Sequence, residues 1–255
     1  MDHDMQVRNA VILASGSGRR MQQKERFPSK PMTMVDKKPL ISYGIDVLIN
    51  GGIKKIYIVY HSVTADVLKV LDYSDNYAEY LEFIEEDVRK GTLLTFSRVR
   101  DFLVPPFIMI FGDIIVDKSD FVNMLHAGKK YIVSDADLVI QTVCTPSILS
   151  EKAFLAENGR IIRYRKNGIV DETKYGERKK YGGMVYLWLS DPFRIIDNYL
   201  LNQNYRFSSF LEDYISDHIV YEMSVNDMWD VDTPEVLRRT EELIKKRGGL
   251  DGSIQ

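Results

Sequence analysis

The sequence of 255 residues has little cysteine and no surplus of positive charge. With Cys144 alone, it can form neither an internal disulfide nor a cysteine-based zinc site. Its 34 Lys and Arg are outnumbered by 37 Asp and Glu, giving a net charge of −3, so a general nucleic-acid-binding protein is not expected. The lone cysteine favours a reducing compartment, and we predict a cytoplasmic protein.

Long apolar runs and a signal-peptide pattern are also missing. No apolar stretch approaches the roughly 20 residues of a membrane-spanning helix, and the opening Met-Asp-His-Asp-Met lacks the positive charge of a signal peptide. The four histidines are scattered without the spacing of metal ligands, and no catalytic Ser, Cys or His constellation is evident. Candidate functional residues therefore have to be sought among other residue types.

The most informative stretch lies near the start of the chain. An apolar run over 10–14 predicts a buried strand, and it leads into a turn in which Gly16 and Gly18 leave the backbone N–H groups unobstructed. Fixed positive charge follows at Arg19, Arg20 and Lys30. Free amides and basic side chains in one turn are typical of a loop that binds phosphate.

Two other glycine-rich loops do not fit this stretch. The Walker A loop needs a Gly-Lys-Ser/Thr ending, which is absent, and the dinucleotide fingerprint needs Gly or Ala where Met21 stands. A Gly-x-Gly pair is also consistent with a plain strand-to-helix turn. The basic residues and the motifs further along the chain favour a triphosphate site.

The stretch 9–21, followed by Lys30-Pro31, resembles the signature of the nucleotidyltransferases that make nucleotide sugars. That signature is L-(A/G)-(A/G)-G-x-G-x-R-(L/M) and then K-P, and the gap from Arg20 to Lys30 matches the sugar-1-phosphate branch. The resemblance implies that Arg20 and Lys30 are catalytic. It further implies a nucleotide-binding loop made of Leu13, Ala14, Ser15, Gly16, Ser17 and Gly18.

Strand and helix patterns alternate through the first half, with helices predicted over 39–48 and 92–102 and strands over 53–60 and 107–111. In the second half, a strand is predicted over 138–143, and Asp191-Pro192 predicts the start of a helix that runs to Leu201. We therefore predict an α/β protein with a Rossmann-like mixed, mostly parallel sheet and helices on both faces. The resemblance implies the nucleotide-diphospho-sugar transferase fold. In such sheets, ligands bind at the carboxyl ends of the strands.

We expect one nucleotidyltransferase domain over 1–255. Its nucleotide-binding half covers about 7–133, its acceptor half about 134–228, and a metal motif with the last helix covers 229–247.

Two motifs fall at the predicted carboxyl edge. The segment 85–92 ends in Gly91-Thr92 and resembles the family's stretch that approaches the base and ribose, although a glycine helix start with a threonine cap is the structural alternative. Gly112-Asp113 follows a strand, and the resemblance implies that Asp113 holds a catalytic Mg²⁺, whereas a simple turn is the alternative. Mg²⁺ takes one or two carboxylates, which prompts a search for a second. Asp117 is the near candidate, and Asp230 is the better one.

The second half carries the predicted acceptor residues. Asn158-Gly159 predicts a hairpin turn. Lys166, just after it, matches the family's lysine for the acceptor phosphate, and Gly182 and Gly183 resemble a glycine-led strand that lies against the sugar. A basic hairpin tip and a β-bulge are the structural alternatives.

The stretch 228–235 is similar to the family's W-x-D-(I/V)-x-T-P-E. Thr233 and Pro234 predict the start of the last helix. Asp230 takes the place of the second metal ligand if one residue after the tryptophan is absent here. We expect Asp232 on the opposite side of an extended segment, where it contributes much less.

These motifs occur in the family's order over about 9–240. They imply that the phosphate of a sugar 1-phosphate attacks the α-phosphorus of a nucleoside triphosphate, with Mg²⁺ as cofactor and pyrophosphate as leaving group. Two alternatives stay open: a CTP-dependent cytidylyltransferase for inositol, polyol or choline phosphate, and a non-catalytic regulatory module that binds a nucleotide. Neither nucleic acid nor a membrane is an expected partner, and the oligomeric state is open.

Replacing either predicted catalytic cation tests the phosphate loop. Arg20→Ala and Lys30→Ala should each lower turnover by about 10²- to 10³-fold, because each removes positive charge from a site where negative charge develops. Steady-state kinetics with the preferred substrates measures the effect. Near wild-type kinetics for both variants would contradict the prediction.

Overall fold

The computed structural model describes residues 6–16, 28–88, 90–133, 135–144, 152–166, 179–226 and 228–246. Three residues of the predicted phosphate loop, Ser17, Gly18 and Arg20, lie outside the described residues. Lys166 lies within them, with its backbone alone described.

The described strands are β1 Asn9–Leu13, β2 Met34–Val35, β3 Lys38–Pro39, β4 Lys55–His61, β5 Leu81–Glu86, β6 Phe107–Phe111, β7 Ile114–Val116, β8 Leu138–Val143, β9 Lys152–Glu157, β10 Arg160–Lys166, β11 Lys179–Trp188, β12 Val220–Ser224 and β13 Met228–Asp230. The described α-helices are α1 Leu40–Asn50, α2 Tyr77–Tyr80, α3 Thr92–Ser97, α4 Lys118–Val133, α5 Phe193–Leu201, α6 Phe207–Asp217 and α7 Pro234–Lys246. Two 3-10 helices cover Lys30–Met32 and Ser62–Tyr73.

One mixed sheet organises the described residues, in the order β5-β4-β1-β6-β11-β8-β12-β10-β9. The first four strands of this order are parallel, whereas β11 runs antiparallel to both of its neighbours, β6 and β8. Because β12 is parallel to β8, the carboxyl ends of β5, β4, β1, β6, β8 and β12 share one edge. The predicted mixed sheet is confirmed, with its antiparallel pairings involving strands from the second half of the chain.

Apolar side chains cover both faces of the sheet. On one face, α1 and α4 pack through residues such as Ile45 and Phe121, and on the other, α3, α5 and α6 pack through residues such as Phe96 and Phe210. The strand β1 is almost entirely buried because it lies between these two cores. The predicted helices on both faces are therefore confirmed.

The predicted hairpin is present as β9 and β10, joined at Asn158-Gly159, where both residues have positive φ, 51° and 79°. The strand β9 also pairs with the start of β11, so the last five strands of the sheet order form a closed ring. This ring places the start of β11, with Gly182, beside the hairpin.

Some predicted bounds differ from the structure. The helix predicted over 92–102 ends at Ser97, and turns continue the chain to residue 102. The helix predicted to start at Pro192 starts at Phe193, and the Asp191 carboxylate accepts a hydrogen bond from the Phe193 amide at 2.8 Å. Within the described residues, no helix combines the length and the apolar character that crossing a membrane requires.

Gly183 is crowded by its neighbours, whereas Gly159, which also has positive φ, has open space around it. A Cβ on Gly183, where φ is 72°, would lie 2.5 Å from the buried ring of Phe154. A Cβ on Gly159, where φ is 79°, would come no nearer than 3.9 Å to another residue.

Gly183→Ala should therefore destabilise the protein more than Gly159→Ala does. Both variants incur the backbone cost of positive φ, about 1–2 kcal/mol, and Gly183→Ala adds overpacking of about 1–3 kcal/mol. Chemical denaturation gives both free energies of unfolding. An equal loss in the two variants would contradict the crowding at Gly183.

Candidate functional site

The candidate site lies at the carboxyl edge of the sheet, where β1 and β6 end side by side. The Ala14 amide donates to the Val59 carbonyl at 2.8 Å, and the Gly112 amide donates to the Leu13 carbonyl at 3.0 Å. These bonds continue the strand pairing past the ends of β1 and β6. They place Ser15 and Gly16, at the start of the predicted phosphate loop, beside the Gly112-Asp113 turn.

A short strand pair brings Asp230 close to Asp113. The strands β13 and β7 are antiparallel, with Asp230 opposite Ile114. The Val231 amide also donates to the Asp113 carbonyl at 3.1 Å. Asp113 and Asp230, far apart in the sequence, therefore lie next to each other as predicted.

The expectation that Asp232 lies on the opposite side is wrong. Trp229 and Val231 are fully buried in a core with the last helix, whereas Asp230 and Asp232 are partly exposed. Residues two apart in an extended segment share a face, so both carboxylates point away from that core. One carboxylate oxygen from each of Asp113, Asp230 and Asp232 lies within 4.8 Å of the others.

Lys30, which follows the glycine-rich stretch in the sequence, joins this group. It opens a 3-10 helix with Pro31 in its first turn, and its side chain is only 7% exposed. The preceding amide, that of Ser29, donates to the Asp66 carboxylate at 2.8 Å, which fixes the backbone.

The Lys30 ammonium group pairs with three carboxylates. It contacts Asp113 and Asp232 directly and lies 3.5 Å from an oxygen of Asp230. Burial by itself would lower the pKa of Lys30, but the negative charges of Asp113, Asp230 and Asp232 outweigh burial and raise it. Lys30 therefore stays positively charged across the physiological pH range.

Ser15, at the start of the predicted loop, belongs to a hydrogen-bonded chain of side chains. Ser15 donates to the Thr95 hydroxyl at 3.2 Å, and Thr95 donates to the buried carboxylate of Glu86 at 2.9 Å. Thr95 comes from α3, whose start at Gly91-Thr92 was the second predicted nucleotide-binding motif. Ser15 is thus linked through α3 to the end of β5.

Glycine is required at position 91. A Cβ there would lie 2.4 Å from the Tyr205 carbonyl oxygen, which accepts a hydrogen bond from the Leu93 amide at 3.1 Å. The close approach fixes the start of α3, with Thr92 as its first residue rather than as its cap. The motif therefore has a packing role whatever it binds.

The predicted acceptor residues lie on the two strands that pair with the start of β9. Lys166 pairs with Lys152, and Tyr181, just before Gly182, pairs with Ala153 on the same strand β9. The start of β9 therefore lies between the end of β10 and the start of β11. Gly182 and Gly183 both have positive φ, and the register of β11 on β8 shifts after Gly182, as in the β-bulge alternative.

Lys30 and the carboxylates of Asp113, Asp230 and Asp232 form a group that we call the Lys30 cluster, and its composition fits a divalent cation. Three carboxylates around one ammonium leave two negative charges, and all the donors are oxygen, the ligand that Mg²⁺ prefers. One oxygen of Asp113, Oδ1, is buried without a hydrogen-bond partner among the described residues. Asp117, which the sequence also offers near this point, instead caps α4 by accepting from the Ser119 amide at 2.8 Å.

A family model described as nucleotidyl transferase matches residues 9–147, more than half of the chain. The chain belongs to this nucleotidyl transferase family. The matched part ends before the hairpin and before Asp230 and Asp232.

Some curated relatives align with about half of this chain, and others align with nearly all of it. Bifunctional protein GlmU of Methanococcus vannielii is 30% identical over 51% of this chain, which spans only 30% of that protein's length. The choline-phosphate cytidylyltransferase of Streptococcus pneumoniae is 25% identical over 92% of this chain and 98% of its own. A solved structure from Bacillus anthracis, described as a glucose-1-phosphate thymidylyltransferase, superposes with a TM-score of 0.79 at 16% identity, covering 98% of both chains, which confirms the predicted fold.

Asparagine substitutions test the three-carboxylate cluster. Asp113→Asn, Asp230→Asn and Asp232→Asn should each raise the Mg²⁺ concentration for half-maximal transfer by at least 10-fold or so, because each removes one charged ligand. Asp117→Asn is the control, since asparagine caps a helix about as well as aspartate does. A Mg²⁺ titration at saturating substrates measures the shift, and an unchanged titration for Asp232→Asn would exclude it from the cluster.

Proposed function

We propose that the protein transfers a nucleoside monophosphate from a nucleoside triphosphate to a phosphorylated acceptor, with a sugar 1-phosphate as the first candidate. The observation that carries the proposal is the Lys30 cluster: one buried ammonium and the carboxylates of Asp113, Asp230 and Asp232, beside the glycine-rich loop. Such a cluster has the charges to hold a triphosphate together with a cation.

The reaction is a direct displacement at phosphorus. An oxygen of the acceptor phosphate forms a bond to the α-phosphorus of the triphosphate, and the bond from that phosphorus to the bridging oxygen breaks, releasing pyrophosphate. Positioning and charge neutralisation supply most of the rate in such transfers. In this proposal, Lys30 and Arg20 neutralise the triphosphate, and the amides around Ser15 and Gly16 bind its oxygens.

The carboxylates of Asp113 and Asp230, joined by Asp232, would hold Mg²⁺. When bound, Mg²⁺ would neutralise charge at the α-phosphate and orient its oxygens. Lys30 contacts the same carboxylates and can move its ammonium group toward phosphate on a flexible side chain. The protein's own contribution is to fix the carboxylates through the β13 pairing with β7.

The acceptor is proposed to lie against the start of β11. Gly182 and Gly183 would let the backbone approach it closely, and Lys166 would reach its phosphate from the end of β10. The strand register, which brings these ends together, supports this assignment.

A cytidylyltransferase for a non-sugar phosphate is the second candidate. The choline-phosphate cytidylyltransferase of Streptococcus pneumoniae aligns over almost the whole of both chains, including the acceptor half. GlmU of Methanococcus vannielii aligns over about half of this chain. The alignment over the acceptor half favours testing choline, inositol and polyol phosphates beside the sugar phosphates.

A substrate matrix tests the proposal. The common nucleoside triphosphates are each paired with sugar 1-phosphates, choline phosphate, inositol phosphate and a polyol phosphate, with Mg²⁺, and pyrophosphate release is measured. We expect one pair to dominate, and Asp113→Asn to lower its rate by about 10²-fold. Nucleotide binding without release from any pair would instead support the regulatory module.

A further inference from the structure

The ammonium group of Lys30 lies against the same carboxylates that would hold a divalent cation. It contacts one oxygen of Asp113 and one of Asp232, and it lies 3.5 Å from an oxygen of Asp230. One oxygen from each of these carboxylates lies within 4.8 Å of the others, close enough for a single cation to bridge them. The lysine and a cation would therefore draw on the same three groups.

Asp113 has one oxygen, rather than two, to offer from the solvent side. Its Oδ1 atom is buried and has no hydrogen-bond partner among the described residues, whereas its Oδ2 atom accepts a hydrogen bond from Lys30. A cation that approaches from solvent would meet Asp113 through Oδ2, the atom that the ammonium group already contacts. Sharing that oxygen would bring the cation and the ammonium group close together, where like charges repel strongly.

The ammonium group can leave the carboxylates while the backbone of Lys30 stays in place. The amide of the preceding Ser29 donates to Asp66 at 2.8 Å, and Lys30 opens a 3-10 helix. The lysine side chain is a flexible stem of four carbons, so rotation about its bonds moves the charge without moving the main chain. The pairing of β13 with β7 meanwhile holds the carboxylates together.

We infer that Lys30 and a divalent cation exclude each other from the cluster: Lys30 neutralises the carboxylates until a triphosphate draws its ammonium group away, and the cation then takes its place. The inference rests on the proposed function, which brings the triphosphate and the cation to this site. A free cation would have to displace the ammonium group without giving it a new partner. A triphosphate supplies that partner, so the cluster resists free cations and admits a cation together with the nucleotide.

Removing the ammonium group should therefore strengthen the binding of a free cation. Lys30→Met has a side chain of similar length without the charge, so the three carboxylates would act on Mg²⁺ with no competing cation from Lys30. In the absence of nucleotide and acceptor, the dissociation constant of Lys30→Met for Mg²⁺ should be about 10- to 100-fold lower than that of the wild type. Isothermal titration calorimetry on the full chain measures both constants.

Two further variants locate the effect and control for charge. Adding Asp232→Asn to Lys30→Met should reverse most of the gain, because the gain comes from this cluster. Lys55→Met removes a positive charge at the opposite edge of the sheet, where Lys55 begins β4 and pairs with Glu82 at 2.9 Å. It should bind Mg²⁺ as the wild type does.

Thermal unfolding gives an independent readout. Without a divalent cation, Lys30→Met should unfold at a lower temperature than Lys55→Met, because its three carboxylates repel one another. Mg²⁺ at 100-fold above the dissociation constant of Lys30→Met should raise the Tm of that variant by about 5–10 °C. The same concentration should raise the Tm of the wild type by less.

Three outcomes would overturn the inference: Mg²⁺ affinity in Lys30→Met that is unchanged or weaker, an equal gain in Lys55→Met, or a gain that survives Asp232→Asn. If Lys30→Met does not fold without a cation, Mg²⁺ should restore its folding. If it stays unfolded with Mg²⁺, Lys30→Gln replaces it in the same titration, and failure of both variants to fold with Mg²⁺ would also overturn the inference.

Pyrophosphate release by the wild type is measured separately with the substrate matrix. A gain in Mg²⁺ affinity in Lys30→Met without transfer from any substrate pair would support the exclusion and contradict the proposed function. Transfer by the wild type without that gain would support the proposed function and overturn the inference.

Discussion

The ammonium group of Lys30 is the point on which the candidate site depends. Three carboxylates within 4.8 Å of one another repel each other strongly, and a buried cation between them makes the arrangement tolerable. The cation is held by backbone structure, through the 3-10 helix and the contact of Ser29 with Asp66. The carboxylates are held in the same way, through β13 and β7. Opposite charges are thus brought together by separate parts of the fold.

Much of this architecture could be predicted from the sequence. The strand over 107–111 and the strand over 138–143 have the predicted bounds, because short runs rich in apolar and β-branched residues form buried strands in this class of protein. Asp113 and Asp230 were paired by the motif order, and the structure places both carboxylates at Lys30. Motif order was informative because parallel strands bring their carboxyl ends to one edge.

Other features could not be predicted because they depend on contacts between distant segments. The role of Asp66 arises from packing between two 3-10 helices, and that of Thr95 from how α3 lies against the ends of β1 and β5. Neither residue belongs to a recognisable motif. The orientation of Asp232 could have been predicted, because side chains two residues apart in an extended segment share a face and Trp229 and Val231 face the core. The prediction that Asp232 lies opposite Asp230 is therefore an error in applying this period.

The pairing of β13 with β7 determines when, during synthesis, the Lys30 cluster becomes complete. Chains are synthesised from the N-terminus, and β1, β6 and Lys30 emerge long before β13 does. Until then, the carboxylates of Asp230 and Asp232 are missing from the cluster. The apolar side chains that pack against Trp229 also remain exposed. A growing chain that has already formed its parallel strands therefore still lacks the complete Lys30 cluster. The cluster is completed only when β13, which is synthesised well after those strands, pairs with β7.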